Sequence, residues 1–437
     1  MDEIALCLID EHLSAAASLR ATGGELWGLS TDHLESTERP VAPLTALCGP
    51  SRQERTRHLA QTLADLIEDG IAPASTLYVD LADPRLPAPL PHGALAHIVE
   101  LYFTRALVPR QEPFYLFFDN VRSAPDWLEL CRALIDAYPA RIWVADACAV
   151  WTAPAPNNGL PPFAQVTALK GPDTASLLRR LAAEAARVGE ADPLSRALDR
   201  FYRLGRAATS PDPTPLRLLR QAAADSCAHD ASRLLPSVPL ALIRRTAALL
   251  LAQGGTAPSL SALQRTLAAE GTATTRATLA AIADALADAQ LLCRPPLFRH
   301  AEENPRAARF VFACDHGTAQ AFSPAPLAGT ALLSSVVFSQ LYEEGLAPSV
   351  HVARMADAAI ALLWEDGRAG RQAAILHSRP RPSRRFLDEA AQLAGAYTDG
   401  RLSIVADGPG WTQPSDGGRL TATPLGEWLL ERTGILS

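Results

Sequence analysis

Four short apolar runs, Leu44–Cys48, Thr76–Leu81, Phe114–Phe118 and Arg141–Ala145, alternate with stretches of helical spacing, chiefly His58–Ile67, Gly93–Leu107 and Trp127–Tyr138. Runs of this length suit strands buried on both faces, and their alternation with helices implies a parallel sheet covered on both sides. Residues 41–171 therefore read as one α/β domain. A short helix (Ile4–Leu19) and a polar, glycine-containing connection precede it over 1–40.

The rest of the chain has a different texture. From 172 to 237 the strands vanish and the sequence is rich in Ala, Leu and Arg at helical spacing. Residues 238–300 contain three helical patterns (Pro239–Ala252, Ser259–Ala269 and Thr274–Ala289) followed by the apolar phrase Leu291-Leu292-Cys293-Arg294 and Phe298. That order is expected of a winged helix. Residues 301–437 mix expected strands (Arg309–Ala313, Ala358–Trp364, Ala373–His377, Leu402–Ala406) with expected helices (Gly329–Glu344, Ser383–Ala396) and read as a second α/β domain.

Composition excludes several classes. A chain of 437 residues that is 48% hydrophobic and 20% charged is a folded protein of two or three domains. The net charge of −7 argues against a globally basic nucleic-acid binder, although not against a local basic face. Lys170 is the only lysine, so nearly all positive charge is arginine. The 7 cysteines are scattered and form no CxxC pair, so neither a disulfide framework nor a zinc ribbon is expected. The acidic start MDEIALCLIDEH lacks the form of a signal peptide, and no run reaches the ~20 apolar residues of a membrane helix. An intracellular, soluble protein is the expectation.

The chemistry-bearing motif follows the first apolar run. In Gly49-Pro50-Ser51-Arg52-Gln53-Glu54-Arg55-Thr56, the glycine and threonine have the spacing of a phosphate-binding loop, G-x-x-x-x-G-K-[ST]. The second glycine is replaced by Glu54 and the lysine by Arg55. A carboxylate ~5 Å from a phosphate costs roughly 3 kcal/mol per pair at an effective dielectric of ~20, more than a hundredfold in affinity. The run Phe114–Phe118 ends in Asp119-Asn120, where a hydrolysing enzyme carries a magnesium-binding aspartate and then a water-activating glutamate. An amide at 120 is no base near pH 7. The sequence leaves one question about the loop. The space beside Gly49 and Arg55 is either open or filled by the Glu54 side chain.

Together these features resemble bacterial AAA-superfamily ATPases that carry a C-terminal domain of the domain-of-unknown-function family 4143. The family's loop has the form G-P-R-R-x-G-K-T; Gly49, Pro50, Arg52 and Thr56 agree with it, while Ser51, Glu54 and Arg55 depart. The phrase Leu77–Leu86, the acidic strand end Asp119-Asn120-Val121-Arg122 and Pro125-Asp126-Trp127 match in order and spacing. The polar sensor after the next strand is missing at Ala145-Asp146-Ala147-Cys148. The resemblance implies a P-loop parallel-sheet domain, a helical and winged-helix middle region, and a C-terminal α/β domain of restriction-endonuclease type. This chain departs from that fold's acidic and E-x-K pattern, so nuclease chemistry is not expected. Asp357 sits one place off the acidic slot, which falls on Ala358, and Ala373–His377 supplies no E-x-K pair. Glu365 and Asp366 read as a turn before Gly367.

The expectation that follows is a pseudo-ATPase serving as scaffold or regulator, binding ATP and magnesium weakly if at all, through Gly49, Pro50, Arg52, Arg55, Thr56, Asp119 and Asn120. A slow nucleotide switch in which Arg55 replaces the lysine is the first alternative. DNA binding by the winged helix is the second, through Thr274, Thr275, Arg276 and Arg294, with Arg265 and Arg299 placed to meet phosphates. Partners are then another protein, a second copy or nucleic acid, with no membrane. Cys314-Asp315-His316 and Cys227-Ala228-His229-Asp230 are too isolated for metal sites.

Overall fold

The computed structural model describes residues 1–22, 42–107, 109, 111–153, 157–169, 173–210, 214–298, 309–366, 370–396, 401–415 and 418–435. These form two compact units, 1–169 and 170–437. Lys170, Arg299 and Gly367 lie outside the described residues.

In the first unit the order is α1 (Asp2–Thr22), β1 (Leu44–Cys48), α2 (Arg52–Glu68), β2 (Thr76–Asp80), α3 (Ala94–Ala106), β3 (Phe114–Asp119), α4 (Trp127–Ala137), β4 (Ala140–Asp146) and β5 (Ala164–Ala168). All five strands are parallel, in the order β2-β3-β4-β1-β5. Strand alternation explains the double burial. Ala46, Leu116, Phe118, Ile142 and Val144 join one core, while Leu47, Phe117, Trp143 and Ala145 join the core on the other face. On that second face Phe117 and Trp143 stack at 4.8 Å, under α2 residues Leu59, Leu63 and Ile67.

The N-terminal helix belongs to this unit rather than preceding it. Ala5, Leu8, Ile9, Ala16 and Leu19 are buried at helical spacing, and His12 Nε2 lies 2.8 Å from the Thr76 carbonyl at the start of β2. The edge strand β5 was not legible as a strand, because none of its residues is fully buried.

The second unit begins with α5 (Thr174–Arg187), α6 (Pro193–Leu204), α7 (Pro215–Ser226) and the single turn α8 (Ser232–Leu234). Next come α9 (Leu240–Leu251), α10 (Leu260–Ala269), α11 (Arg276–Asp288), β6 (Leu292–Cys293), β7 (Phe312–Ala313), α12 (His316–Phe322) and α13 (Gly329–Glu343). Strands β6 and β7 are antiparallel, and Thr256, between α9 and α10, bridges to Val311 just before β7. The strand expected over Arg309–Ala313 is thus shorter than its apolar run.

The chain closes with β8 (His351–Arg354), β9 (Ile360–Asp366), β10 (Gly370–His377), α14 (Arg384–Ala396), β11 (Arg401–Ala406), β12 (Trp411–Ser415), β13 (Gly418–Pro424) and α15 (Leu425–Arg432). The mixed sheet runs β12-β13-β11-β10-β9-β8. Leu333, Val337 and Leu341 of α13 and Trp428 and Leu429 of α15 cover one face with Leu362, Trp364 and Leu376. Phe386 and Ala390 of α14 cover the other with Leu363, Ala373 and Ile375. Leu177, Leu181 and Phe201, from α5 and α6, sit in the same core as α13, so the helical segment packs with the C-terminal sheet. Strand β9 starts two residues later than expected, because Asp357 and Ala358 have φ of 60° and 58°, which no strand accommodates.

Candidate functional site

The carboxyl ends of β1, β2 and β3 converge on one cluster of charged side chains, the usual place for a ligand in an open parallel sheet. Pairing in register explains the cluster. Asp80, last in β2, stands directly beside Asp119, last in β3.

Gly49 follows β1 without a positive φ, and a Cβ added there would meet the Leu169 carbonyl oxygen at 2.6 Å. The Leu169 amide donates to the Cys48 carbonyl at 2.6 Å. The glycine is thus required by the close passage of the chain leaving β5. Only Gly49, Pro50 and Ser51 separate β1 from α2. Ser51 is the N-cap, its Oγ accepting the Glu54 amide at 3.2 Å, and residues 52–56 are already helical. A phosphate cradle needs its backbone amides splayed around the anion. Here the corresponding residues are wound into the first turn of a helix.

The space beside Gly49 is filled, and by Arg55 rather than by Glu54. Arg55 has no exposed surface, and its Nη1 donates to the Gly49 carbonyl at 2.6 Å; Glu54 is half-buried. Thr56 Oγ1 donates to Asp119 Oδ2 at 2.5 Å, and Tyr78 Oη donates to the same oxygen at 3.2 Å. A hydroxyl and an acid of this kind hold magnesium between them in P-loop enzymes. Here they touch directly.

Asp80 is the hub that sequence reasoning did not single out. It accepts Arg52 Nη2 at 2.8 Å, the Asn120 side-chain amide at 2.8 Å and the Ala82 backbone amide at 2.9 Å. The available signal was that TLYVD and FYLFFD both end in aspartate, which parallel pairing places side by side. Asn120 itself is left-handed (φ 53°, ψ 43°), a conformation asparagine tolerates well. Its amide donates to a carboxylate, which a glutamate could not do. Burial, reinforced by the neighbouring Asp80 charge, pushes the Asp119 carboxyl up to about 6; Thr56, Arg55 and Arg52 pull the other way. Two arginines and two aspartates give a cluster with little net charge. Asp146, at the end of β4, is fully buried and accepts the Arg122 backbone amide at 2.9 Å.

The second candidate surface is α11. Thr275 is its N-cap, Oγ1 accepting the Thr278 amide at 3.0 Å, and the Thr274 carbonyl accepts Gln264 Nε2 at 2.8 Å. Arg276 and Arg265 are exposed, but Arg294 is drawn into an ion pair with Asp284 of the same helix. The outward face of α11 presents Arg276, Ala277, Ala280, Ala281 and Asp284. Alanines offer base edges no hydrogen bond, and an aspartate repels phosphate.

In the C-terminal sheet Asp357 accepts the Ser383 amide at 2.7 Å and faces His377 and Arg379 at 3.4 and 3.5 Å. Glu365 pairs with Arg371 near the opposite end of β9, about 17 Å along the strand from its first residue, Ile360. On β10, Ala373 and Ala374 pair with Leu363 and Leu362, and both alanines are buried. Among the described residues no three His, Cys, Asp or Glu side chains converge as metal ligands. His316 is buried with Nε2 2.9 Å from the Phe201 carbonyl, and Asp315 accepts the Arg206 amide at 3.2 Å, both structural uses. Among the described residues no helix is long and apolar enough to cross a membrane.

No family model matches the chain, and no curated protein matches it.

Proposed function

We propose that this chain is a degenerate AAA-type ATPase whose nucleotide site has been converted into a structural cluster, and that it acts as a scaffold or regulator. The observation that carries the reading is the burial of Arg55 against the Gly49 carbonyl, in the space a phosphate group needs. A nucleotide would have to extract that guanidinium, unwind the first turn of α2 and part Thr56 from Asp119. Each step breaks a buried charge-assisted hydrogen bond or a helix cap, worth about 1–3 kcal/mol apiece.

Several features support descent from a P-loop fold. The strand ending at Cys48, just before Gly49, and the strand ending at Asp119 flank β4, and Thr56 reaches across to the acid. The order α9, Thr256, α10, α11, β6, β7 with its three short pairings supports a winged-helix reading of this segment. The run α13-β8-β9-β10-α14-β11 suits a restriction-endonuclease-type core whose acidic and lysine positions are apolar. On this reading the winged helix packs against protein rather than DNA, since its third helix offers alanines and Asp284 outward.

Steady-state ATP turnover by the purified full-length chain with magnesium is the test. Background-level hydrolysis, unchanged in Arg55→Ala, is expected. Turnover at rates typical of AAA enzymes that disappears in Arg55→Ala would overturn the proposal.

A further inference from the structure

A cleft of about 800 Å³ opens in the second unit between α5, α6, α7 and the segment after α12. This is within the size range of small-molecule sites. Its floor is apolar. Leu181, Ala185 and Ala197 are buried there, Leu204 and Leu216 half-buried, and Val188 stands on the rim with 78% of its surface exposed. Its walls are cationic. Arg196, Arg200 and Arg203 follow one another at i, i+4 and i+7 along a single face of α6, and Arg220 enters from α7.

The carboxylates that line the cleft are already engaged. Glu184 accepts Arg180 Nε at 3.2 Å and lies 3.7 Å from Arg200, and Glu190 lies 3.6 Å from Arg196. Arg203 and Arg220 differ. Each donates Nε to a backbone carbonyl, Asp199 at 3.3 Å and Ala321 at 2.5 Å. Among the described residues neither has a carboxylate partner. Anchoring through Nε orients each guanidinium and leaves its outer N–H groups available as a fork for a planar or tetrahedral anion. Gln320 braces the wall beyond, donating to the Tyr202 carbonyl at 3.3 Å and accepting the Leu327 amide at 2.9 Å. Four guanidiniums against two carboxylates give a positive cleft on a chain of net charge −7, which concentrates small anions there.

We infer that this cleft binds a small amphipathic anion: an apolar body laid on Leu181, Ala185, Ala197 and Leu216, with its acidic head group held by Arg203 and Arg220. The head-group chemistry is shared by free carboxylic acids and by phosphate monoesters. The site is independent of the nucleotide-loop cluster, and neither reading rests on the other.

The test uses the full chain with 8-anilinonaphthalene-1-sulfonate, an apolar ring system carrying one sulfonate, read by fluorescence. Saturable binding is expected, weakened at least about tenfold in Arg203→Ala/Arg220→Ala and unchanged in the remote Arg276→Ala. The charge-keeping Arg203→Lys/Arg220→Lys variant should retain most of the affinity, which separates loss of charge from loss of fold. Decanoate or decyl phosphate should displace the probe, the more effective of the two identifying the head group, whereas decanol should not. Unchanged affinity in the alanine variant, or displacement by decanol as effective as by either anion, would overturn the inference.

Discussion

The guanidinium of Arg55 turns back onto the carbonyl oxygen of Gly49, 2.6 Å away, so the segment between them closes on itself. The residue that looks like a substitute for the P-loop lysine is a core side chain. A binding contact and a folding contact make different predictions for the same substitution.

Arg55→Ala is expected to destabilise the first unit by about 3 kcal/mol or more, because it leaves a buried carbonyl unpaired and a void under α2. Denaturant unfolding of the full chain, followed by far-UV circular dichroism and tryptophan emission, measures this. A variant as stable as the parent would show that Arg55 is dispensable to the fold.

Gly49→Ala should also destabilise, by about 2 kcal/mol, since the added methyl would meet the Leu169 carbonyl oxygen at 2.6 Å. The same melts apply. A neutral result would mean that the chain after β5 yields freely.

Asn120→Glu places a carboxylate against Asp80, where the asparagine amide now donates at 2.8 Å. A loss of about 2–4 kcal/mol is expected, with no gain in ATP turnover. Restored hydrolysis in this variant would mean that the site still accepts nucleotide.

Asp119 and His12 oppose one another in acid. Burial and Asp80 raise Asp119 from 3.8 to about 6, so across that window the native state keeps a proton that the unfolded chain releases. Its contribution to stability is full below pH 3.8 and is lost as pH rises through 6. Burial lowers His12 from 6.5 to about 4, although its contact with the Thr76 carbonyl resists. That contribution is present above pH 6.5 and is lost as pH falls toward 4. Relative to the parent, Asp119→Asn should make acid more destabilising and His12→Gln less so, each by on the order of 2 kcal/mol between neutral pH and the lower limit of the window. Parallel pH profiles for the three proteins would contradict both assignments.

Thr275→Ala removes the N-cap of α11 and should cost about 1 kcal/mol of stability. Salt-dependent duplex DNA binding that this change weakens would instead favour nucleic-acid recognition by residues 238–300.

The parallel sheet was legible because buried strands need unbroken apolar runs, and β1 to β4 have them. Strand β5, with its half-buried AQVTA, and the polar ribbon of β12 and β13 lacked that signal. The start of β9 was misplaced because nothing local marks Asp357 and Ala358 as left-handed. At the candidate site the motif spacing brought Gly49, Arg55, Thr56, Asp119 and Asn120 forward but not their contacts with one another. Spacing alone treats Gly49 as a hinge for phosphate, whereas the constraint on it comes from Leu169, 120 residues away in the chain. Whether an arginine points outward or inward is decided by the length of the preceding loop. That length is set by Ser51 capping a helix at Arg52, a choice the motif spacing conceals.

The central claim is tested most directly by titrating the full-length chain with a fluorescent ATP analogue in the presence of magnesium. The account predicts no saturable binding tighter than about 1 mM in either the parent or Arg55→Ala. Saturable binding tighter than about 100 µM in the parent, lost in Arg55→Ala, would contradict it.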